Sequence, residues 1–218
     1  MKKTLIALLL GLAAPLLRAQ DADSLYFQPV SLGVIFQGNL AGERMHIEEA
    51  PVIAYPGAGA EFGGFVDYNI TRNLLLEFQL IFGLQSASYL SGEQSAQMVL
   101  WGMDIPLYLI GNIPVRFGRF RVGAGPFTHL TFDVWDPSDR EFETPYRRII
   151  SVDEISGKPR YALNDTHSGF GLLAGFEFEN GFQINVSGKY SITDIINYQS
   201  ERSYAHPYKV SFGIAYRF

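Results

Sequence analysis

The chain has 218 residues, 47% of them hydrophobic and 14% aromatic against only 18% charged, which is too apolar for a disordered protein and leans towards one large domain. It contains no cysteine, so a disulfide framework, a Cys-ligated zinc site and an iron–sulfur cluster are excluded. The formal net charge of −5 argues against a nucleic-acid partner.

Residues 1–19 read as a secretory signal peptide. Lys2 and Lys3 open it, TLIALLLGLAAPLL supplies the apolar run broken only by Pro15, and cleavage is expected after Ala19. Leu17 is bulkier than such a site favours. The alternative, an N-terminal membrane anchor, would need about 20 apolar residues. Losing Lys2, Lys3 and Arg18 lowers the formal charge from −5 to −8. Residues 20–27 then form a short periplasmic segment ahead of a domain over 28–218.

From about residue 28 the apolar positions alternate with period two between turn signals. SLGVIFQGN shows Leu32, Val34 and Phe36 on one face. AGAEFGGFVDYNI follows with Ala60, Phe62, Val66, Tyr68 and Ile70, backed by Glu61, Phe65, Asp67 and Asn69. After the turn TRN, Leu74, Leu76, Phe78, Leu80, Phe82 and Leu84 alternate with Leu75, Glu77, Gln79, Ile81, Gly83 and Gln85. QMVLWGMDIPLYL places Val99, Trp101, Met103, Ile105 and Leu107 opposite Asp104. In RFRVGAGPFTHLTFDV, Phe120, Val122, Leu130, Phe132 and Val134 oppose Arg121, Gly123, Gly125 and His129. Pro106 and Pro126 cannot donate to a ladder, so each is predicted to mark a bulge or kink.

A hairpin turning at Glu179–Gly181 comes next. Phe170, Leu172, Phe176, Phe178, Phe182, Ile184, Val186 and Tyr190 share its apolar face. Gly171, Gly175, Glu177, Gln183, Asn185, Ser187 and Lys189 lie behind. The last strand alternates Tyr208, Val210, Phe212, Ile214, Tyr216 and Phe218 with Lys209, Ser211, Gly213, Ala215 and Arg217. The count is eight strands.

The placement of charge decides between a soluble and a membrane barrel. No Asp, Glu, Lys or Arg falls on the apolar face of any of the eight strands, and that face is bulky and aromatic. The opposite face is small and mixed, with isolated charges. A soluble lipocalin-like barrel would point its apolar face inward and its charged face to water. Here the pattern is the outside and inside of an eight-stranded, antiparallel, up-and-down transmembrane β-barrel. Three connections are short (TRN, the segment near 111–118, and ENG), and the others are longer, about 40–57, 86–96, 136–166 and 193–206. Short periplasmic turns alternating with longer external loops put both termini on the periplasmic side. Tyr68, Phe117, Phe178, Phe182 and Phe218 are expected at the periplasmic aromatic girdle, and Phe36, Trp101, Phe132, Tyr190 and Tyr208 at the outer one.

The stretch MDIPLYLIGNIPVRFGRFRVGAGPF, with Ile105-Pro106-Leu107 and Gly123-Ala124-Gly125-Pro126, resembles the PorT-like outer-membrane β-barrel family. FGLLAGFEF, GKYSITDI and the terminal GIAYRF extend the resemblance over roughly residues 28–218. It implies a barrel in the outer membrane of a Gram-negative envelope and, as one alternative, an accessory part in a protein-secretion machine. The loop at 136–166 departs from it.

Candidate chemistry is sparse. His46, His129, His167 and His206 make no HExxH or other metal-ligand spacing, and no cofactor is expected. His129 alone falls within a strand on the inner face, where hydrogen bonding is expected of it. His167-Ser168 is no dyad for an outer-membrane lipid-modifying enzyme, because neighbouring strand residues face opposite ways. The inward charges Glu61, Asp67, Glu77, Asp104, Arg121, Glu177, Lys189, Lys209 and Arg217 read either as a selectivity lining or as an ion-paired plug. Eight-stranded lumens are just wide enough for side chains to fill. A turn centred on Arg72 sets Asp67 opposite Glu77, a like-charge pair needing a cation or a shared proton. Arg121 and Arg217 are the candidate cations, with Glu177 sharing them.

The remaining expectations concern partners. Tyr208, Val210, Phe212, Ile214, Tyr216 and Phe218 resemble the terminal signal read by barrel-assembly machinery. The protein is expected to sit in outer-membrane lipid as a monomer. The loop 136–166 is either disordered or a surface for an external ligand or secretion-complex partner. The reading reached from sequence is a non-enzymatic outer-membrane barrel with a closed lumen.

Overall fold

The computed structural model describes residues 29–46, 52–91, 94–135, 149–152, 159–161, 164–195 and 204–218. The expected signal peptide, the segment 20–27 and most of the loop 136–166 lie outside them. Five long strands come first: β1 (Val30–His46), β2 (Val52–Thr71), β3 (Leu74–Ser91), β4 (Gln94–Val115) and β5 (Gly118–Trp135). Two short strands follow, β6 (Ile149–Val152) and β7 (Pro159–Tyr161), paired only with each other. Then come β8 (Thr166–Phe178), β9 (Phe182–Ser191) and β10 (Tyr204–Arg217).

Eight of these strands close a barrel in the order β1-β10-β9-β8-β5-β4-β3-β2, each antiparallel to its neighbours. Following the register once round from Leu40, through Val210, Gly188, Leu172, Ala124, Leu109, Leu76 and Tyr68, returns to β1 at Val30. The register therefore advances ten residues along β1 per circuit. Such a stagger tilts the strands, by roughly 35–45° in barrels of this kind.

The pleat sorts the side chains as the alternation requires. Phe36, Phe62, Leu84, Val122, Phe170, Leu172, Ile184, Phe212 and Ile214 are exposed on the outer wall, while Glu61, Asp67, Glu77, Asp104, Arg121, Glu177 and Lys189 are buried inside. A surface that is apolar outside and charged inside is stable only where lipid replaces water.

Three departures from the sequence reading have physical causes. The expected loops 40–57 and 86–96 are mostly strand: β1 runs to His46, β2 starts at Val52, and only Gly92 and Glu93 separate β3 from β4. A ladder needs only backbone groups, so it continues past the end of the apolar band, where side-chain alternation no longer marks it. The prolines insert no residue. The β3–β4 ladder passes from Phe78↔Leu107 to Ile81↔Asp104, and the β4–β5 ladder from Pro106↔Phe127 to Leu109↔Ala124, without a change of register, while Pro126 stands opposite Phe170. The register shifts fall instead at Pro56/Gly59, Asn69/Thr71 and Trp101/Gly102. Finally, part of the third external loop is the β6–β7 hairpin rather than wholly irregular chain.

Candidate functional site

The lumen holds two layers of charge. The first lies near the short turns, because its members sit close to the ends of β2, β8 and β10 or the starts of β3 and β5. The shift at Asn69/Thr71 sets Asp67 directly opposite Glu77, both fully buried. Arg121, 1% exposed, enters between the carboxylates. Its guanidinium donates to Glu77 and to the Gln183 side-chain carbonyl, and stands 3.8 Å from both Asp67 Oδ1 and Glu177 Oε2. Gln79 donates to Glu77 at 2.6 Å and Gln183 to Glu177 at 3.2 Å. Neither Asp67 oxygen has a hydrogen-bond partner among the described residues. Arg121 is the guanidinium that approaches it.

Arg217, a candidate cation for this cluster that Glu177 was expected to share, pairs with Glu177. A third guanidinium, Arg119, also pairs with Glu177 through two 3.0 Å hydrogen bonds. Sequence reasoning missed it, although it stands two residues before Arg121 and so points to the same side. The layer then contains three carboxylates and three guanidiniums.

The second layer lies farther along the strands. Asp104, 2% exposed, accepts from His129 Nδ1 at 2.6 Å through Oδ1, and from Lys189 Nζ at 2.6 Å and Lys209 Nζ at 2.9 Å through Oδ2. Lys209 also donates to Glu61 at 2.6 Å, and Gln37 donates to the other Glu61 oxygen at 2.5 Å. Here two carboxylates face two ammonium groups. His167 joins them: it stands opposite His129 with ring centroids 4.7 Å apart in a stacked arrangement. The sequence reading placed only His129 inside, because it began this strand too late, yet the parity of Gly171 and Glu177 already puts His167 on the inner face. Space for the His129 ring is left by Gly102, where a Cβ would stand 2.7 Å from the imidazole.

Apolar clusters and uncharged polar side chains occupy much of the remaining lumen, beside a small inner cavity lined by Glu43, Gln85, Asp104, His129 and Lys209. Ile35, Phe65, Ile81 and Ala215 form one buried cluster, and Leu75, Tyr108, Ile110 and Leu173 another. Towards the external loops, Ala87, Met98, Leu100 and Ala205 enclose Ile195, which is fully buried. The backbone of Ile195 is held there by bonds to Ala205 at 3.1 Å and from Asn164 at 2.7 Å. Among the described residues, no group of three or more His, Cys, Asp or Glu side chains is placed to hold a metal.

The outer wall carries the other residues singled out from sequence. Val210, Phe212, Ile214, Tyr216 and Phe218 are exposed, and Tyr208 is half-buried. Near the short turns, Phe117 and Phe178 both touch Phe176, and Phe178 touches Phe182. Tyr68 is exposed near the end of β2. Trp101 and Phe132 lie towards the other end, beside the β4–β5 bulge, with Tyr190 near the end of β9. Phe36 is different. It sits mid-strand beside Phe62 and Ile214, inside the apolar band rather than at a rim.

Comparison with known proteins agrees with this geometry. No curated protein sequence matches the chain. Among solved structures, the outer membrane protein OprG from Pseudomonas aeruginosa shares 14% identity and a TM-score of 0.54, over 86% of this chain and 96% of that one. Ail of Yersinia pestis, solved with the heparin analogue sucrose octasulfate, shares 10% identity and a TM-score of 0.46, over 88% of this chain and 100% of that one. The likeness to OprG is one of fold. The profile of the outer membrane protein beta-barrel domain family matches residues 4–218, nearly the whole sequence, and the chain belongs to that family.

Proposed function

We propose that the protein is a non-enzymatic, monomeric outer-membrane barrel with a sealed lumen, a rigid mount that presents its external loops to a ligand or envelope partner. Residues 1–19 would be the exported chain's signal peptide and 28–218 the inserted domain. The observation that carries this reading is the filling of the lumen by two charge-balanced layers. Asp104 is reached by side chains from β5, β9 and β10, so the second layer spans the bore rather than lining it. A selectivity lining would leave charges facing an open path, and ion pairs that satisfy one another offer none.

Vesicles reconstituted with the purified protein should release small sugars no faster than empty vesicles. Partner capture from native membranes should depend on residues 136–166, whose deletion should abolish it while leaving the barrel folded. Rapid sugar release, or capture that survives the deletion, would contradict this function.

A further inference from the structure

A ladder of rings crosses the outer wall where its apolar band ends. Outward positions on β1 are Val34, Phe36 and Leu40, then change to Arg44 and His46. On β10 they pass from Phe212 and Val210 to Tyr208, His206 and Tyr204. The register sets His206 beside Arg44, Tyr204 beside His46, and Tyr208 between Gly42 and Tyr190. Ring centroids are 5.7 Å apart from His46 to Tyr204, 5.8 Å from Tyr204 to His206 and 6.1 Å from His206 to Tyr190. Successive planes are inclined by 27–34°, so the four rings form one continuous series over three strands.

Tyr208 lies against the bare backbone of Gly42, where a Cβ would stand 2.7 Å from its hydroxyl. Arg44 is exposed, and His206 Nδ1 is buried without a hydrogen-bond partner among the described residues. The acidic neighbour of Arg44 does not oppose it: Glu43 lines the inner cavity, and Met45 packs on the inner apolar cluster.

An aromatic belt needs only amphipathic rings at headgroup level. This ladder adds a guanidinium and two imidazoles at that level, facing out. A guanidinium fork fits a phosphate bidentately, and ring faces are electron-rich surfaces that attract the C–H groups of a sugar. We propose that Arg44, His46, Tyr204, His206 and Tyr190 bind the phosphorylated saccharide headgroup of an outer-leaflet glycolipid. The site depends on the barrel's place in the outer membrane and not on its sealed lumen.

The test is native mass spectrometry of the full barrel released from phosphatidylcholine nanodiscs doped with bisphosphorylated lipid A or with its dephosphorylated form. Bisphosphorylated lipid A should remain bound. Its retention should fall at least about tenfold with the dephosphorylated lipid or in an Arg44→Gln/His206→Gln double variant, the loss of roughly one charge-assisted contact. Equal retention in any of these would overturn the site. A His206 ring signal that inorganic phosphate alone shifts as far as lipid A does would overturn the glycolipid assignment. If the double variant fails the heat-modifiability test of folding, Arg44→Lys replaces it. That single change keeps the charge but loses the fork, so retention should still fall, and unchanged retention would overturn the site.

Discussion

The charge layer near the short turns is built on arginine, and the layer nearer the external loops is built on lysine and histidine. In the first, Arg121 serves Glu77, Asp67 and Glu177 at once, because a planar guanidinium presents several donors in one fixed fork. In the second the hub is an anion: Asp104 gathers two ammonium groups and an imidazole. The first layer sets Asp67 directly opposite Glu77, and Arg121 reaches both. The second contains no opposed acids. Loss of the hub should therefore cost more in the first layer, where it releases repulsion as well as stranding charge.

The largest effect is expected from Arg121→Met, which leaves Glu77 and Asp67 opposed. Unfolding in detergent micelles should show a loss at the upper end of about 3–5 kcal/mol for a broken buried pair. Asp104→Asn should lose less, towards the lower end of about 3–5 kcal/mol, because Lys209 keeps Glu61 while Lys189 is stranded. A double-mutant cycle between Asp104 and Lys189 should show coupling, and additivity within error would deny the hub. On the outer wall, Leu80→Arg or Val186→Arg should cost about 2–4 kcal/mol if these positions face mid-bilayer lipid.

Assembly and the weakest acid provide the smaller effects. Replacing Tyr216 and Phe218 with Ser should slow insertion in cells more than comparable changes in an external loop, read as the fraction of heat-modifiable protein. Normal insertion would deny the terminal strand its signalling role. Asp67→Asn should change stability by no more than about 1 kcal/mol and in the stabilising direction, since it removes a like-charge opposition and a carboxylate without hydrogen bonds. A loss of several kcal/mol would show that Asp67 holds the layer together.

Much of this arrangement was legible in the residues. Alternation placed the eight barrel strands and put Glu61, Glu77, Asp104, Arg121 and Lys189 on the inner face, because lipid outside and ion pairs inside leave no other sorting. The Asp67–Glu77 opposition followed from a short turn. The bulge at Asn69/Thr71 is what makes that turn count come out, and no residue there announces it. Partner choice was less legible. Arg119 stands directly opposite Glu177, but on strands separated in sequence by a long connection that hides their register, and Arg217 reaches the same carboxylate from β10. The extension of β1 to β4 beyond the apolar band was hidden for a different reason: outside lipid, neither face needs to be apolar.

Planar-bilayer recording tests the sealed lumen most directly. Wild-type protein should show no steady conductance, and an Arg121→Ala/Asp104→Ala double variant that still folds should show ion steps, since both hubs are gone. Large, stable steps from the wild type would contradict the seal, as would a double variant as silent and as stable as wild type.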